Sequence, residues 1–397
     1  MRIALTCLLA LAVLSPTVRA VAADYDGTVT NYSWLQLPPG YVTAFIGNSS
    51  DPTVFNNQAF GSGTDRTGSG NGCPDDFRTS GWVWIPNSTL TDTGKSTFWA
   101  AVGLDQPRYI DAVGVQWWCG DTTSVSRYYV DGWDAAQNKW VQVGAYMFSG
   151  PNSLTGKEDE KTFIEGARVG MFGENNTVPL DNPGTYQYIR VRVESGDYTY
   201  KLNDSTRGGP GIMCIEPMGS GPLAEDKVNW VNERFETTIT PTGMQWSNGK
   251  LNSGYLYDDE SYRTGNGLGH GGQVWDETRW IDIDLGTARE IGEFVIVWDW
   301  EYVGISFDLQ YMNEKGVYVS VEIDADDLYR NGTGGTGMFG CVFQTPVTAQ
   351  KWRLTDMPST SLALINQIMM YSPAVPEPAT MTLLALGGLA MLRRKRS

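Results

Sequence analysis

The chain of 397 residues has a single histidine, His270, and only five cysteines. One histidine cannot assemble a His-rich zinc site, and any serine–histidine–acid triad would have to recruit it. His270 stands in the glycine-rich run 267–272, and no G-x-S-x-G elbow accompanies it. It therefore reads as a loop residue without a catalytic part. No two cysteines have C-x-x-C spacing, which removes the usual zinc and redox motifs. Positive charge is also short: 29 Lys and Arg face 45 Asp and Glu, a formal net charge of −16. Setting aside Arg2, Arg19 and the terminal Arg393, Arg394, Lys395 and Arg396 leaves a body more acidic still. Such a field disfavours nucleic acid and anionic lipid. Long apolar runs are missing too. The two strongest lie at the extremities, and each is shorter than the ~20 residues a comfortable membrane span needs.

Aromatic residues and glycine are plentiful. Trp, Tyr and Phe make up 12% of the chain, with 15 Trp, and there are 46 Gly. Many aromatic strands separated by many Gly-rich turns are the composition of an all-β protein. Part of the aromatic complement must fill cores. Rings left on loops offer flat apolar faces that suit sugar rings.

The two ends read as addresses. Arg2, the apolar run 3–14 and the small-x-small pattern Ala20-Val21-Ala22 form an export signal over 1–22, cleaved after Ala22 or Ala20. Cys7 would leave with it. Export to an oxidising compartment permits disulfides among Cys73, Cys119, Cys214 and Cys341, and four cysteines allow three pairings. The pairing favoured here is Cys73 with Cys214, closing the first domain, with Cys119 and Cys341 as buried thiols. At the other end, Val375, Pro376, Glu377 and Pro378 precede an apolar run, 379–392, and a basic stop at Arg393, Arg394, Lys395 and Arg396. As a short hydrophobic helix that run would reach roughly 21 Å, against a hydrocarbon core of about 30 Å. Gly387 and Gly388 weaken it further, and the basic cluster should stay on the cytoplasmic side. The run is thus a transient inner-membrane tether.

The order Pro-Glu-Pro, apolar helix, arginine-rich end over 375–397 resembles the PEP-CTERM sorting signal of Gram-negative bacteria. The resemblance implies a membrane processing enzyme, an exosortase, as a partner. It also implies a destination at the outer surface or in the exopolysaccharide matrix of a biofilm.

Between the two ends, short alternating runs recur with almost no helical periodicity. In Trp280-Ile281-Asp282-Ile283-Asp284-Leu285-Gly286, Ile281, Ile283 and Leu285 share one face, and Trp280, Asp282 and Asp284 the other. The first half repeats the rhythm. Trp99, Leu104, Ile110 and Trp117 have the spacing of Trp280, Leu285, Ile291 and Trp298, and Ile189-Arg190-Val191 matches Trp352-Arg353-Leu354. Ile189, Val191 and Val193 are expected inside, with Arg190, Arg192 and Glu194 outside. Each copy closes on a strand, 212–215 in one and 364–371 in the other. The chain is therefore read as two tandem jelly-roll β-sandwiches, 24–217 and 227–372. Met218-Gly219-Ser220-Gly221-Pro222 has linker composition between them.

The residues 280–286, the strand ending at Trp298, and Trp352-Arg353-Leu354 followed by 365–371 resemble the discoidin, or coagulation-factor C-type, domain. The first unit matches more loosely, with Val102-Gly103-Leu104-Asp105 at the corresponding corner. The resemblance implies a galactose-binding-like jelly roll, and the fold by itself names no ligand.

The candidate binding residues are aromatics where strand gives way to loop: Trp300 and Tyr302 beyond Trp298, Trp118 at the matching place in the first unit, and Tyr255, Tyr257 and Tyr262 beside Asp258 and Asp259. The packed alternative puts these rings under long loops. Asp324, Asp326 and Asp327 could give oxygen ligands to calcium, but no twelve-residue loop pattern is present and solvated turn charges are the preferred reading. No other cofactor is expected. The expectation is an exported, non-enzymatic binder of extracellular polysaccharide or surface glycan. The alternatives are a structural or adhesive matrix protein binding protein partners, and a carbohydrate-active hydrolase using two carboxylates.

Overall fold

The computed structural model describes residues 25–39, 41–48, 83–84, 98–118, 124–125, 127–147, 177–194, 198–199, 211–242, 280–299, 307–323, 328–331, 337–355 and 364–374. These are almost wholly β, broken by 3-10 turns at Trp34–Gln36, Glu225–Lys227 and Glu233–Phe235. The first half contributes β1 (Thr28–Ser33), β2 (Val42–Asn48), β3 (Val83–Trp84), β4 (Phe98–Trp118), β5 (Ser124–Val125), β6 (Arg127–Asp134), β7 (Lys139–Met147), β8 (Thr177–Val193), β9 (Tyr198–Thr199) and β10 (Gly211–Pro222). The second contributes β11 (Thr238–Thr242), β12 (Trp280–Asp299), β13 (Asp308–Met312), β14 (Tyr318–Ser320), β15 (Leu328–Asn331), β16 (Gly337–Thr355) and β17 (Leu364–Tyr371).

An 8-stranded sheet runs β1-β10-β4-β8-β6-β7 with β2 and β3 attached, and a 7-stranded sheet runs β11-β12-β16-β13-β14 with β15 and β17 attached. Long bent strands turn each sheet into two layers. The first part of β4 pairs with β2 and β8, Val102 opposite Ile189. After a shift of register between Gly103 and Arg108, the later part pairs with β10, Val115 opposite Ile215. β12 does the same: Ile283 lies opposite Trp352, the register breaks between Asp284 and Arg289, and Ile296 then faces Ile368 of β17. Breaks of this kind bend a strand and raise its twist, which lets it leave one layer for the other. The registers pair the two copies as their spacing predicts, and Ile281, Ile283, Leu285, Trp352 and Leu354 are all buried.

The bend itself recurs with the same chemistry. Arg108 in the first unit and Arg289 in the second are both buried just past the break, stacked 4.8 Å over Trp34 and 3.8 Å over Trp230. Asp105 receives both Nε and Nη2 of Arg108 at 3.0 and 2.9 Å. At the second bend Gly286 takes a positive φ of 74°, which glycine tolerates, and its N–H donates to Asp284 at 2.9 Å.

Two expectations are corrected. Arg190 and Arg192 do not face water: they are 1% and 6% exposed. Asp131 lies between them and accepts from Arg190 Nη2 at 2.6 Å and from Arg192 Nε at 2.9 Å, which removes the penalty of burying an unpaired charge. Residues 218–222, for all their linker composition, complete β10 and pair with β1, Thr28 opposite Pro222 and Ser33 opposite Met218. A β-carbon on Gly219 would sit 1.9 Å from the Tyr109 carbonyl oxygen, so glycine is needed there for close approach rather than for slack.

The chain beyond β10 packs between the units. Asn229 donates its N–H to Tyr32 at 3.1 Å and its side-chain amide to Gln36 at 2.5 Å, and accepts from Met370 N–H at 3.0 Å. The Tyr371 hydroxyl is 3.0 Å from the Gln36 carbonyl oxygen, to which it donates, and Trp230 Nε1 donates to Ser372 at 3.0 Å. These groups are buried, so the first unit, the connecting segment and the final strand close one polar clasp.

Candidate functional site

An aromatic hollow lies beside the β6–β7 turn. Asp134 opens that turn. Its carboxylate accepts from the N–H groups of Ala136 and Gln137 at 2.9 and 3.0 Å and from the Gln137 side chain at 2.5 Å. These bonds, led by the Gln137 N–H, hold the Asp134 carboxyl below the usual range. Asn138 completes the turn at a φ of 51°, a left-handed conformation that asparagine tolerates. The short turn fixes Trp133 opposite Trp140, edge to face with centroids 5.3 Å apart.

β8 supplies the facing wall. A β-carbon on Gly132 would lie 2.5 Å from the Tyr186 ring, and one on Gly184 would lie 2.8 Å from the Tyr186 hydroxyl. The ring therefore rests on bare backbone at both ends, and its hydroxyl donates to the Asn182 carbonyl at 3.1 Å. Burial, then the nearby Asp134 charge, pushes the Tyr186 hydroxyl above its ordinary pKa. Gln187 donates to the Leu104 carbonyl at 3.3 Å. Trp133, Tyr186 and Tyr188, with Asp134, Thr185 and Gln187, line a hollow of about 380 Å³. Three half-buried rings beside amide, hydroxyl and carboxylate groups make a site that can take an apolar ring face and bond its polar rim.

A second hollow, of about 780 Å³, opens at the matching place in the other unit, between the β13–β14 turn and the bend of β16. Nearby, on the outer sheet face, Asp282 is saturated. It accepts from Arg353 Nε at 2.8 Å and Nη2 at 3.1 Å, from Trp280 at 3.0 Å and from Tyr318 at 3.2 Å. Arg353 is stacked between Trp280 and Tyr318, 4.6 and 4.1 Å from their centroids.

The side chains of the ring residues that sequence reasoning singled out lie outside the described residues. Trp118 ends β4 opposite Gly211, and its side chain lies outside the described residues. So do Tyr255, Tyr257, Tyr262, Trp300 and Tyr302, the carboxylates Asp324, Asp326 and Asp327, and Cys73. Cys214 is described only by its backbone position in β10, opposite Gln116. Cys341 is buried, opposite Phe294 of β12. Among the described residues no group of three His, Cys, Asp or Glu is placed to hold a metal, and no helix is long and apolar enough to cross a membrane. Trp133, Tyr186 and Tyr188 were missed. Their one local signal was glycine beside or near a ring, at Gly132 and Gly184.

The double-layered sheets define a β-sandwich protein. Residues 374–396 match the protein family described as "PEP-CTERM protein-sorting motif", so the chain carries that motif at its end. No curated protein matches the chain by sequence. Among solved structures, SpGH29 is similar at 16% identity and a TM-score of 0.27 over 37% of this chain, which spans only 28% of that structure's length. The family 32 carbohydrate-binding module of Streptococcus pneumoniae EndoD is 18% identical, with a TM-score of 0.25 over 37% of this chain and 100% of the module. Allantoicase from Saccharomyces cerevisiae is 9% identical, with a TM-score of 0.27 over 70% of this chain and 77% of its own.

Proposed function

We propose that the chain is an exported, non-catalytic glycan-binding protein of the cell surface or exopolysaccharide matrix. On this reading an exosortase-type enzyme processes it at the terminal motif. The sorting motif supports the route, and the aromatic hollow carries the binding reading. Trp133, Tyr186 and Tyr188 present rings at the rim of a space suited to one or two sugar units, with Thr185 and Gln187 placed for hydroxyls. An acidic exported body suits neutral rather than anionic polymers. A shallow site binds weakly, and retention on a repeating polymer would come from many engagements at once.

Affinity electrophoresis of the full chain through gels holding neutral polysaccharides tests this. The native chain should be retarded, and Trp133→Ala and Tyr188→Ala should each run free while keeping the native circular dichroism. Unchanged retardation in both variants would remove the hollow from the account. Release of reducing ends by the pure chain would overturn the non-catalytic reading.

A further inference from the structure

The two hollows occupy matching positions, yet their walls differ in charge. Asp134 is the single carboxylate of the first, and its oxygens are occupied by the turn it caps. The second is lined by two carboxylates, Glu314 and Glu322, with no Lys, Arg or His among its lining residues. Both glutamates are exposed, and neither is hydrogen-bonded or ion-paired among the described residues. Around them stand Tyr311, Ser320, Gln344 and Gln350. Ser320 already donates to Asp308 at 2.9 Å and Gln350 to Asp284 at 2.8 Å. Each therefore has its oxygen turned to acceptor duty, and the wall is rich in acceptors. The Asn313 side chain, which accepts from the N–H groups of Lys315 and Val317 at 3.0 and 3.1 Å, holds Glu314 at the tip of the β13–β14 turn.

A hollow with two unspent carboxylates and an acceptor-rich wall needs a ligand that brings donors and positive charge. We infer that the second hollow binds the free ammonium groups of an amino-sugar polymer, while the first takes neutral sugar rings. This rests on the glycan-binding reading above and gives the two units different specificities. A glucosamine unit supplies a protonated amine with three donors, hydroxyls for Ser320 and Gln344, and a ring face for Tyr311. Blocking the amine with an acetyl group removes the charge and keeps the ring.

Isothermal titration of the full chain with glucosamine oligomers and with their N-acetylated counterparts tests it at low and at high salt. Glucosamine oligomers should bind about fivefold or more tightly at low salt, as two exposed charge pairs allow, and the advantage should shrink as salt screens them. The double variant E314Q/E322Q should lose the advantage and keep its retardation by neutral polysaccharide. Trp133→Ala should do the reverse. Equal binding of the two oligomers by the native chain, or an advantage that survives in E314Q/E322Q, would overturn the inference. If amine-dependent binding persists while the native chain ignores every neutral glycan, the wider reading of the first hollow fails and this one stands. Binding of neither oligomer overturns the inference outright.

Discussion

Arg190 and Arg353 hold the same place in the two units, one register position along β8 and β16 from Ile189 and Trp352, yet their surroundings differ. Each guanidinium lies against two rings, Trp99 and Trp140 for Arg190, Trp280 and Tyr318 for Arg353. Each is paired to one aspartate. In the first unit the aspartate is Asp131, on the neighbour strand β6, and the side chains are 1% and 2% exposed. In the second it is Asp282, on the opposite neighbour β12, and the exposures are 25% and 32%. The repeat thus keeps the ring–guanidinium stack and moves the carboxylate across the arginine, from one flanking strand to the other. The same constellation is a core element in one copy and a surface element in the other, so its energetic weight should differ.

Removing the buried carboxylate should have the largest effect. Asp131→Ala leaves Arg190 and part of Arg192 charged and unpaired in a dry site, a loss of about 3–5 kcal/mol. Urea unfolding followed by tryptophan fluorescence should show a midpoint far below that of the native chain. Changing both ends together, Asp131→Leu with Arg190→Met, should recover much of the loss, because the remaining buried guanidinium, Arg192, keeps Glu194 as a partner. A small effect of Asp131→Ala alone would mean that the interior around β8 is wetter than its burial indicates.

The fate of these arginines also shows what sequence reading could and could not reach. Alternation marked Ile281, Ile283 and Leu285 as inward, and the spacing of Trp99, Leu104 and Ile110 against Trp280, Leu285 and Ile291 revealed the duplication. Both are local patterns, and local geometry enforces them. The partner of Arg190 lies 59 residues away, so alternation alone placed Arg190 and Arg192 outside. The hollow at Trp133 was illegible for the same reason. Its walls come from β6 and β8, and only the pairing of these strands, from Tyr129 opposite Arg192 to Gly132 opposite Ile189, brings them together. Composition misled at 218–222, where glycines that suggest slack instead permit backbone to meet backbone.

The clasp between the units is intermediate, being buried like Asp131 but built from neutral groups. Tyr32→Phe removes the acceptor of the Asn229 N–H and should cost roughly 1–3 kcal/mol, the penalty of a stranded buried donor. The same region should fail in alkali. Burial raises the Tyr32 hydroxyl above its ordinary pKa near 10. Burial, then the charges of Asp26 and Glu225, pushes Tyr25 up to about 12. A raised tyrosine pKa means the fold prefers the neutral hydroxyl. Its contribution is complete below about pH 10 and is lost as pH climbs through the folded-state value. Stopped-flow pH jumps read by phenolate absorbance should show Tyr25 and Tyr32 ionising together with loss of structure. Ionisation with the fold intact would place both hydroxyls in water.

The smallest effect should come from the exposed copy. Asp282→Ala deletes a carboxylate that receives four hydrogen bonds, which by counting alone would rival Asp131. Exposure decides otherwise. Water can take over the Arg353, Trp280 and Tyr318 donors, and the stack of Arg353 between two rings survives without its counter-ion, so the loss should stay within about 1 kcal/mol. The sharper readout is Tyr318, whose hydroxyl is held above its ordinary pKa by burial and then by the Asp282 charge. In Asp282→Ala its titration should move back toward pH 10, while Tyr186 in the other unit stays where it is. If the urea midpoint falls as far as in Asp131→Ala, then bond count rather than burial sets the weight of these pairs, and the contrast between the two units disappears.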